Sequence, residues 1–210
     1  MRVIVGCEFS QVVTKAFRDR GHEAYSCDII PCEGGHPEWH YNGDILQLLK
    51  REKFELGIFH PPCTHLAVSG ARWFKSGAKP LSLQNEAADF FMMFINAPIP
   101  FIAVENPICV MSTMYRKPDQ IINPFQFGHA EQKKTCLWLK GLPKLKETKN
   151  VYDHMMTLPI KERTRIHWLG SNKSKERSKT YVGIAQAMAT QWGDYLLARQ
   201  DAEPQAINCV

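Results

Sequence analysis

The sequence holds no uninterrupted apolar run of about 18 residues, so no segment is expected to cross a bilayer as a helix. Met1 to Cys7 carries one charge and a short apolar stretch that gives way to polar residues, without the long apolar region and cleavage site of a secretory leader. A cytoplasmic chain is the expectation. The seven cysteines (Cys7, Cys27, Cys32, Cys63, Cys109, Cys136, Cys209) are odd in number and scattered, unlike a secreted disulfide framework, and read as free thiols. There is no internal repeat, low-complexity tract or long linker. At 210 residues and 44% hydrophobic, the chain can bury one sizeable core but is short for two. Residues 1–199 are therefore expected to form a single domain, with 200–210 a flexible tail.

Net charge is +5, which permits a nucleic-acid or nucleotide partner without requiring one. Its location says more. Lys140 to Lys179 contains 11 Lys and Arg against 4 Asp and Glu, a balance of +7, so the remainder sums to −2. Arg163, Arg165, Lys173, Lys175, Arg177 and Lys179 suit phosphate contact, and Trp168 can stack on a base; a solvated charged loop fits the same residues.

Arg2 to Gly6 reads as a buried strand, and Val12 to Arg20 as a helix stopped at Gly21. Glu23 to Asp28 is a second strand ending in an acid. Asp44 can cap a helix running to about Lys53, and Leu56 to Phe59 is a third strand halted by His60-Pro61-Pro62. Leu83 to Asn96 has helical spacing, Ile99 to Val104 is a fourth strand ending at Glu105-Asn106-Pro107, and Cys136 to Leu139 could be a fifth. Tyr181 to Leu197 places Ile184, Ala185, Met188, Trp192 and Leu196 on one helical face. Strands alternating with helices predict an α/β fold: a mostly parallel sheet covered on both faces, with ligands at the carboxyl ends of the strands. Asp28, Cys63 and Glu105 fall at such ends.

Two prolines before Cys63 stiffen its backbone and end the strand, holding the thiol at the sheet edge. A cysteine is a nucleophile as its thiolate, and His60, His65 or a helix start downstream could favour that form. An inert cysteine in a turn is the alternative.

The window Pro61-Pro62-Cys63-Thr64-His65-Leu66-Ala67-Val68-Ser69-Gly70 resembles motif IV of the cytosine carbon-5 methyltransferases, with the diprolyl-cysteine and the glycine seven positions later both in place. Glu105-Asn106 resembles that family's Glu-Asn motif. The resemblance implies a Rossmann-like S-adenosylmethionine-dependent methyltransferase fold and two catalytic residues: Cys63 attacks carbon 6 of the pyrimidine, and Glu105 binds the ring nitrogen and exocyclic amine, with Asn106 beside the substrate. It also implies cofactor contacts. Gly43-Asp44-Ile45 looks like the adenine-binding motif, Asp28 sits where an acid holds the ribose hydroxyls, and Gly6 to Gln11, with Phe9, stands where the family has a Phe-x-Gly-x-Gly turn; Pro61 adjoins them. Read without the resemblance, Asp44 is equally a helix cap. Gln132 to Gly141 resembles motif VIII, with Lys134 replacing its first arginine and Cys136 its second. Tyr181-Val182-Gly183 occupies the place of motif X.

About forty residues separate Gly141 from Tyr181, which leaves no room for a full target-recognition domain. The pattern resembles small phage-type members, and the implied activity is methylation of cytosine in DNA, including single strands, with little sequence preference. A free cytosine nucleotide would suit the same two residues. A catalytically silent descendant that binds nucleic acid or a protein is a third reading. Amino-group methyltransferases usually place Asp, Asn or Ser before the prolines and an aromatic after them, where this chain has His60 and Cys63. Cys27, Cys32, His36 and His40 are metal-ligand types, but their spacing departs from a zinc finger, and no metal is expected.

Overall fold

The computed structural model describes residues 1–202. The elements run, in chain order, β1 (Arg2–Gly6), α1 (Val12–Arg18), β2 (Glu23–Asp28), β3 (His40–Asn42), α2 (Ile45–Arg51), β4 (Leu56–Phe59), α3 (Ala71–Lys75), α4 (Leu81–Ile95), β5 (Phe101–Pro107), α5 (Met111–Met114), β6 (Gln120–Ile122), β7 (Thr135–Lys140), α6 (Tyr152–Thr157), α7 (Ile160–Arg163), α8 (Arg165–Trp168), α9 (Ser174–Ser178) and α10 (Val182–Ala202). The seven strands form one sheet in the order β3-β2-β1-β4-β5-β7-β6. Neighbours are parallel except around β7, which is antiparallel to both β5 and β6. This is the α/β fold that the alternation of elements predicts, a mostly parallel sheet with helices on both faces.

The strand residues alternate between two cores. Val3, Val5, Leu56, Ile58, Ala103 and Leu137 face α1 and α10, whose Val13, Phe17, Ile184, Met188, Trp192 and Leu196 pack against them. Ile4, Phe59, Ile102, Val104 and Trp138 face α2 and α4, meeting Leu48, Phe91 and Phe94. Side chains of this size each contribute roughly 1.5–3 kcal/mol when fully buried, so both faces are held by the hydrophobic effect. The expected apolar face of the last helix is the one buried. No helix among the described residues is long and apolar enough to cross a membrane.

Three expectations require correction. β3 and β6 have no counterpart in the sequence reading; each is three residues long at an edge of the sheet, too short for a period-2 pattern to register. The fourth expected strand begins at Phe101 and runs through Glu105-Asn106 to Pro107, because Glu105, Asn106 and Pro107 pair with Leu137, Cys136 and Thr135 of β7. α10 continues through Ala202, so the tail expected at 200–210 is helical where it begins; from 203 onward, Cys209 included, it lies outside the described residues.

Candidate active site at the carboxyl ends of the strands

β4 ends because Pro61 and Pro62 have no N–H to donate to a ladder. The last bond before them runs from His60 N to the Gly6 carbonyl at 3.0 Å. The chain then turns on the Cys63 carbonyl, which accepts from Leu66 N (3.0 Å) and Ala67 N (2.9 Å). Leu66, fully buried, anchors this loop, and reciprocal bonds from Val68 N to Ile108 O and from Val110 N to Leu66 O fasten it to the chain after β5. Asn106 adds a third tie: buried itself, it donates from Nδ2 to the Pro61 carbonyl at 2.8 Å. The Cys63 loop and the Glu105 strand are thus locked together, with Asn106 holding the turn.

Glu105 accepts a hydrogen bond from His60 Nδ1 on Oε2 at 2.9 Å; the two side chains are 16% and 8% exposed. Burial pushes the Glu105 carboxyl up, but the bond and charge of His60, with Lys133 behind, outweigh it and hold the group below the usual carboxylate range. Cys63 is half-buried, and its thiol is pushed up by burial and then by the negative charge of Glu105, opposed by Lys133 and Arg177. The histidine help expected from the sequence is absent. His60 is engaged by Glu105, and His65 presents its ring edge-on to Phe74 at 6.2 Å, its Nδ1 buried without a partner among the described residues. The downstream helical turn at Val68–Gly70 is a short 3-10 segment. The surroundings therefore favour the thiol form of Cys63 and the ionised form of Glu105.

Lys133 is the residue that sequence reasoning missed. Because β7 runs antiparallel, the residues before it lie at the same rim as those that follow β5. Lys133 is half-buried there, donating from Nζ to the Arg177 carbonyl at 2.9 Å, with Tyr181's ring centroid 5.8 Å away. Lys134, the expected substrate contact, is exposed, and Cys136 is buried in the sheet. No alternation in β7 separates Lys133 from Lys134 in the sequence, since Thr135 to Trp138 are all buried.

The first loop turns without the family's glycines. Cys7 and Gln11 both sit in the left-handed region at φ 58°, a conformation costing a non-glycine residue roughly 1–2 kcal/mol. Side chains offset it. Buried Glu8 accepts from Val13 N at 2.7 Å and from Thr14 Oγ1 at 2.7 Å, filling the first donors of α1. Gln11, also buried, donates to the His36 carbonyl at 2.7 Å and accepts from His36 N at 3.2 Å. Gly6 is required for packing: a Cβ there would lie 2.6 Å from the Phe59 ring. Phe9 is 7% exposed beneath the ammonium groups of Lys175 and Lys179, 5.5 and 5.9 Å from its ring centroid.

At the end of β2, Asp28 is half-buried, with Oδ1 accepting from Ile30 N at 3.2 Å. Ile29 beside it is 80% exposed, an apolar side chain with no packing role, which sequence reasoning passed over. Asp44 is exposed and caps α2, its Oδ1 accepting from Leu46 N at 2.8 Å. A carboxylate next to an uncovered apolar side chain at a strand end matches the two needs of a nucleoside, a diol to bond and a ring to cover, so these residues fit an adenosyl group.

In the basic segment Arg165, Lys175 and Lys179 have acidic partners within the chain. Arg165 pairs with Glu131 at 3.3 Å and with Glu176. Lys179 and Lys175 share Glu33 at 2.8 and 3.0 Å. Arg163 approaches Met156 Sδ at 3.0 Å, and its carbonyl accepts from Gln132 N. Trp168 stays 62% exposed.

Among the described residues, no group of three or more His, Cys, Asp and Glu is placed to hold a metal ion. Cys27 is buried against the Gly43 carbonyl, His36 stacks on Trp39, and His40 bridges Ser26 and the Ile30 carbonyl.

No protein-family model and no curated protein matches this sequence. Among solved structures, an E. coli protein described as a DNA modification methyltransferase encoded within a prophage is similar at 14% identity with a TM-score of 0.44. The alignment covers 76% of this chain and 56% of that one, so this chain spans little more than half the length of that protein.

Proposed function

We propose that this chain transfers a methyl group from S-adenosylmethionine to carbon 5 of cytosine in DNA, through a covalent adduct at Cys63 and with little sequence specificity. The observation that carries this reading is the fixed juxtaposition of a thiol and a buried, ionised carboxylate at the ends of adjacent strands β4 and β5. Such chemistry needs one soft nucleophile and one group that engages the ring.

The two groups are linked energetically. The charge of Glu105 opposes the Cys63 thiolate, so a base whose exocyclic amine donates to that carboxylate weakens the opposition. Cys63 then gives up its proton to solvent and its Sγ bonds to carbon 6, while the electron pair of the carbon 5–carbon 6 double bond passes to carbon 5. Lys133 and Arg177 offset negative charge on the sulfur during that step. Once carbon 5 carries the methyl group, its proton passes to solvent, the pair of that carbon–hydrogen bond re-forms the double bond to carbon 6, and the carbon 6–sulfur pair leaves with Cys63 as thiolate. Asp28, Ile29, Phe9, Gly6, Asp44 and Pro61 are the residues that would hold S-adenosylmethionine, which supplies the methyl group when bound.

A polymer is favoured over a free nucleotide by the loop after Cys63. From Leu56 to Asn85 there is no Asp or Glu, and Arg72, Trp73 and Lys75 are exposed. Trp73 is 46% exposed with the Arg72 guanidinium 4.7 Å from its ring centroid, a pairing suited to bases and phosphates. Arg163, Arg165, Lys134 and Lys179 are further contacts on the same reading, Arg165 and Lys179 after release from their acids. Extracting a base from a duplex costs a few kcal/mol, so single strands should react more readily.

The test is incubation with S-adenosylmethionine labelled in its methyl group and DNA containing 5-fluorocytosine, which traps the adduct. A covalent complex that disappears in Cys63→Ala is the expected result. Absence of any complex with DNA or nucleotide sinks the proposal.

A further inference from the structure

His60 belongs to neither the Pro-Pro-Cys nor the Glu-Asn motif, yet it is built into the centre of the site. Its backbone is fixed by β1 through Gly6, and its side chain is more than nine-tenths buried. Nδ1 donates to Glu105 Oε2 at 2.9 Å, and Nε2 is enclosed with no partner among the described residues. Glu105 Oε1 carries no hydrogen bond among those residues.

We propose that His60 is a positioning residue for Glu105: by holding Oε2 it fixes the carboxylate in its ionised form and leaves Oε1 as the oxygen that meets the ring edge of the substrate. This rests on the reading of Glu105 as the base-binding acid. A buried carboxylate without a partner takes up a proton, because its charged form is not solvated. The other groups that bear on Glu105 and Cys63 are Lys133, on the approach to β7, and Arg177, on α9; the thiols of Cys109 and Cys136 also feel the Glu105 charge. Lys133 alone is a half-exposed cation whose Nζ is already bonded to a carbonyl, so His60 is the main support.

Removing His60 then has two opposite effects. Glu105 becomes neutral, its opposition to the Cys63 thiolate ends, and the cysteine reacts faster with a small electrophile. The protonated acid is also no longer a fixed acceptor for the amine of cytosine, so the adduct with the base forms more slowly. A merely loosened site would not separate the two.

The experiment uses the full chain. Iodoacetamide labelling of Cys63 is followed by peptide mass analysis at pH 7.5 in wild type, His60→Phe, His60→Asn and Glu105→Gln, beside the rate of adduct formation with single-stranded DNA containing 5-fluorocytosine. His60→Asn keeps an N–H donor at the place of Nδ1 and should label within about twofold of wild type. His60→Phe and Glu105→Gln should label about threefold faster or more, half a pK unit in the thiol. The adduct of His60→Phe should form at least about tenfold more slowly, the equivalent of one pK unit. Unchanged labelling in His60→Phe, with native circular dichroism, overturns the proposal. If labelling behaves as expected but wild type forms no adduct with DNA or nucleotide, the carbon-5 reading fails, the ring-contact half of the proposal fails with it, and the coupling of His60 to Glu105 stands.

Discussion

Lys175 and Glu33 meet at 3.0 Å across 142 positions of sequence, and Lys179 joins the same carboxylate at 2.8 Å. Both ammonium groups also lie over Phe9. Glu33 is in turn fixed by its N–H, which donates to the Phe9 carbonyl at 2.8 Å. One acid therefore fastens the segment bearing α9 onto the first loop. The partners are 37–61% exposed, where individual ion pairs stabilise by about 0–1 kcal/mol, so an incoming polyanion can undo the fastening.

Glu33→Gln should release both lysines. Binding of single-stranded DNA, measured by fluorescence anisotropy over a salt series, is expected to tighten and to show a salt slope steeper by about one to two counterions. An unchanged slope would place Lys175 and Lys179 outside the nucleic-acid path.

Arg72, Trp73 and Lys75 carry the polymer reading independently of that fastening. Arg72→Ala with Lys75→Ala should lower DNA affinity and flatten the salt slope by about one to two, with the thermal midpoint nearly unchanged because both side chains are exposed. Trp73→Ala should weaken binding by about 1–3 kcal/mol if the indole stacks on a base, and quenching of Trp73 fluorescence by oligonucleotide reads the same contact.

Strain and packing in the first turn can be separated by substitution. Cys7→Gly gives a residue at ease at φ 58° and should raise stability by up to about 1 kcal/mol, offset by the lost thiol contacts. Gly6→Ala, one position earlier, drives a methyl into Phe59 and should cost about 1–3 kcal/mol in urea unfolding. Gly183→Ala should be worse, since its Cβ would fall 1.9 Å from the Phe127 carbonyl oxygen, which is backbone and cannot swing aside.

Stability should depend on pH through Glu105. Its folded carboxyl lies below the ordinary range, so it binds fewer protons folded than unfolded. The stabilisation is fully present above the ordinary carboxylate value and is lost as pH falls through the depressed folded value. The difference in thermal midpoint between wild type and Glu105→Gln should therefore be constant from about pH 7 to 6 and shrink below about pH 4.5. A difference that grows on acidification would contradict the depressed value.

The frame of the fold was legible because β1 and β4 are covered on both faces and show as short apolar runs, and because Asp44 marks the start of α2. The edge strands β3 and β6 were not, since three residues cannot display a period. The extension of β5 through Glu105 depends on β7, thirty residues away, and local propensity carries no trace of it. At the site, the proximity of Cys63 and Glu105 followed from strand order, which places their ends side by side. The engagement of His60 by Glu105 instead of Cys63 is a ring orientation, and no spacing rule fixes one. Charge in the basic segment could be counted, but not its partners: Glu33 and Glu131, which bind Lys175, Lys179 and Arg165, lie outside that segment.

The reversed direction of β7 has a consequence for how such a protein can grow. β7 ends at the rim opposite the site, where Lys140 Nζ donates to the Ala97 carbonyl at 3.3 Å. α10 begins at the site rim, where Gly183 N donates to His129 Nε2 at 2.9 Å. The stretch between is also moored along its length: Leu145 and Met155 are buried, and the Arg163 and Arg177 carbonyls accept from Gln132 N and Lys133 Nζ. Each doubling of a flexible connection costs only about 0.6 kcal/mol in closure entropy. An insertion in one of the exposed turns of that stretch would therefore leave every strand in its register.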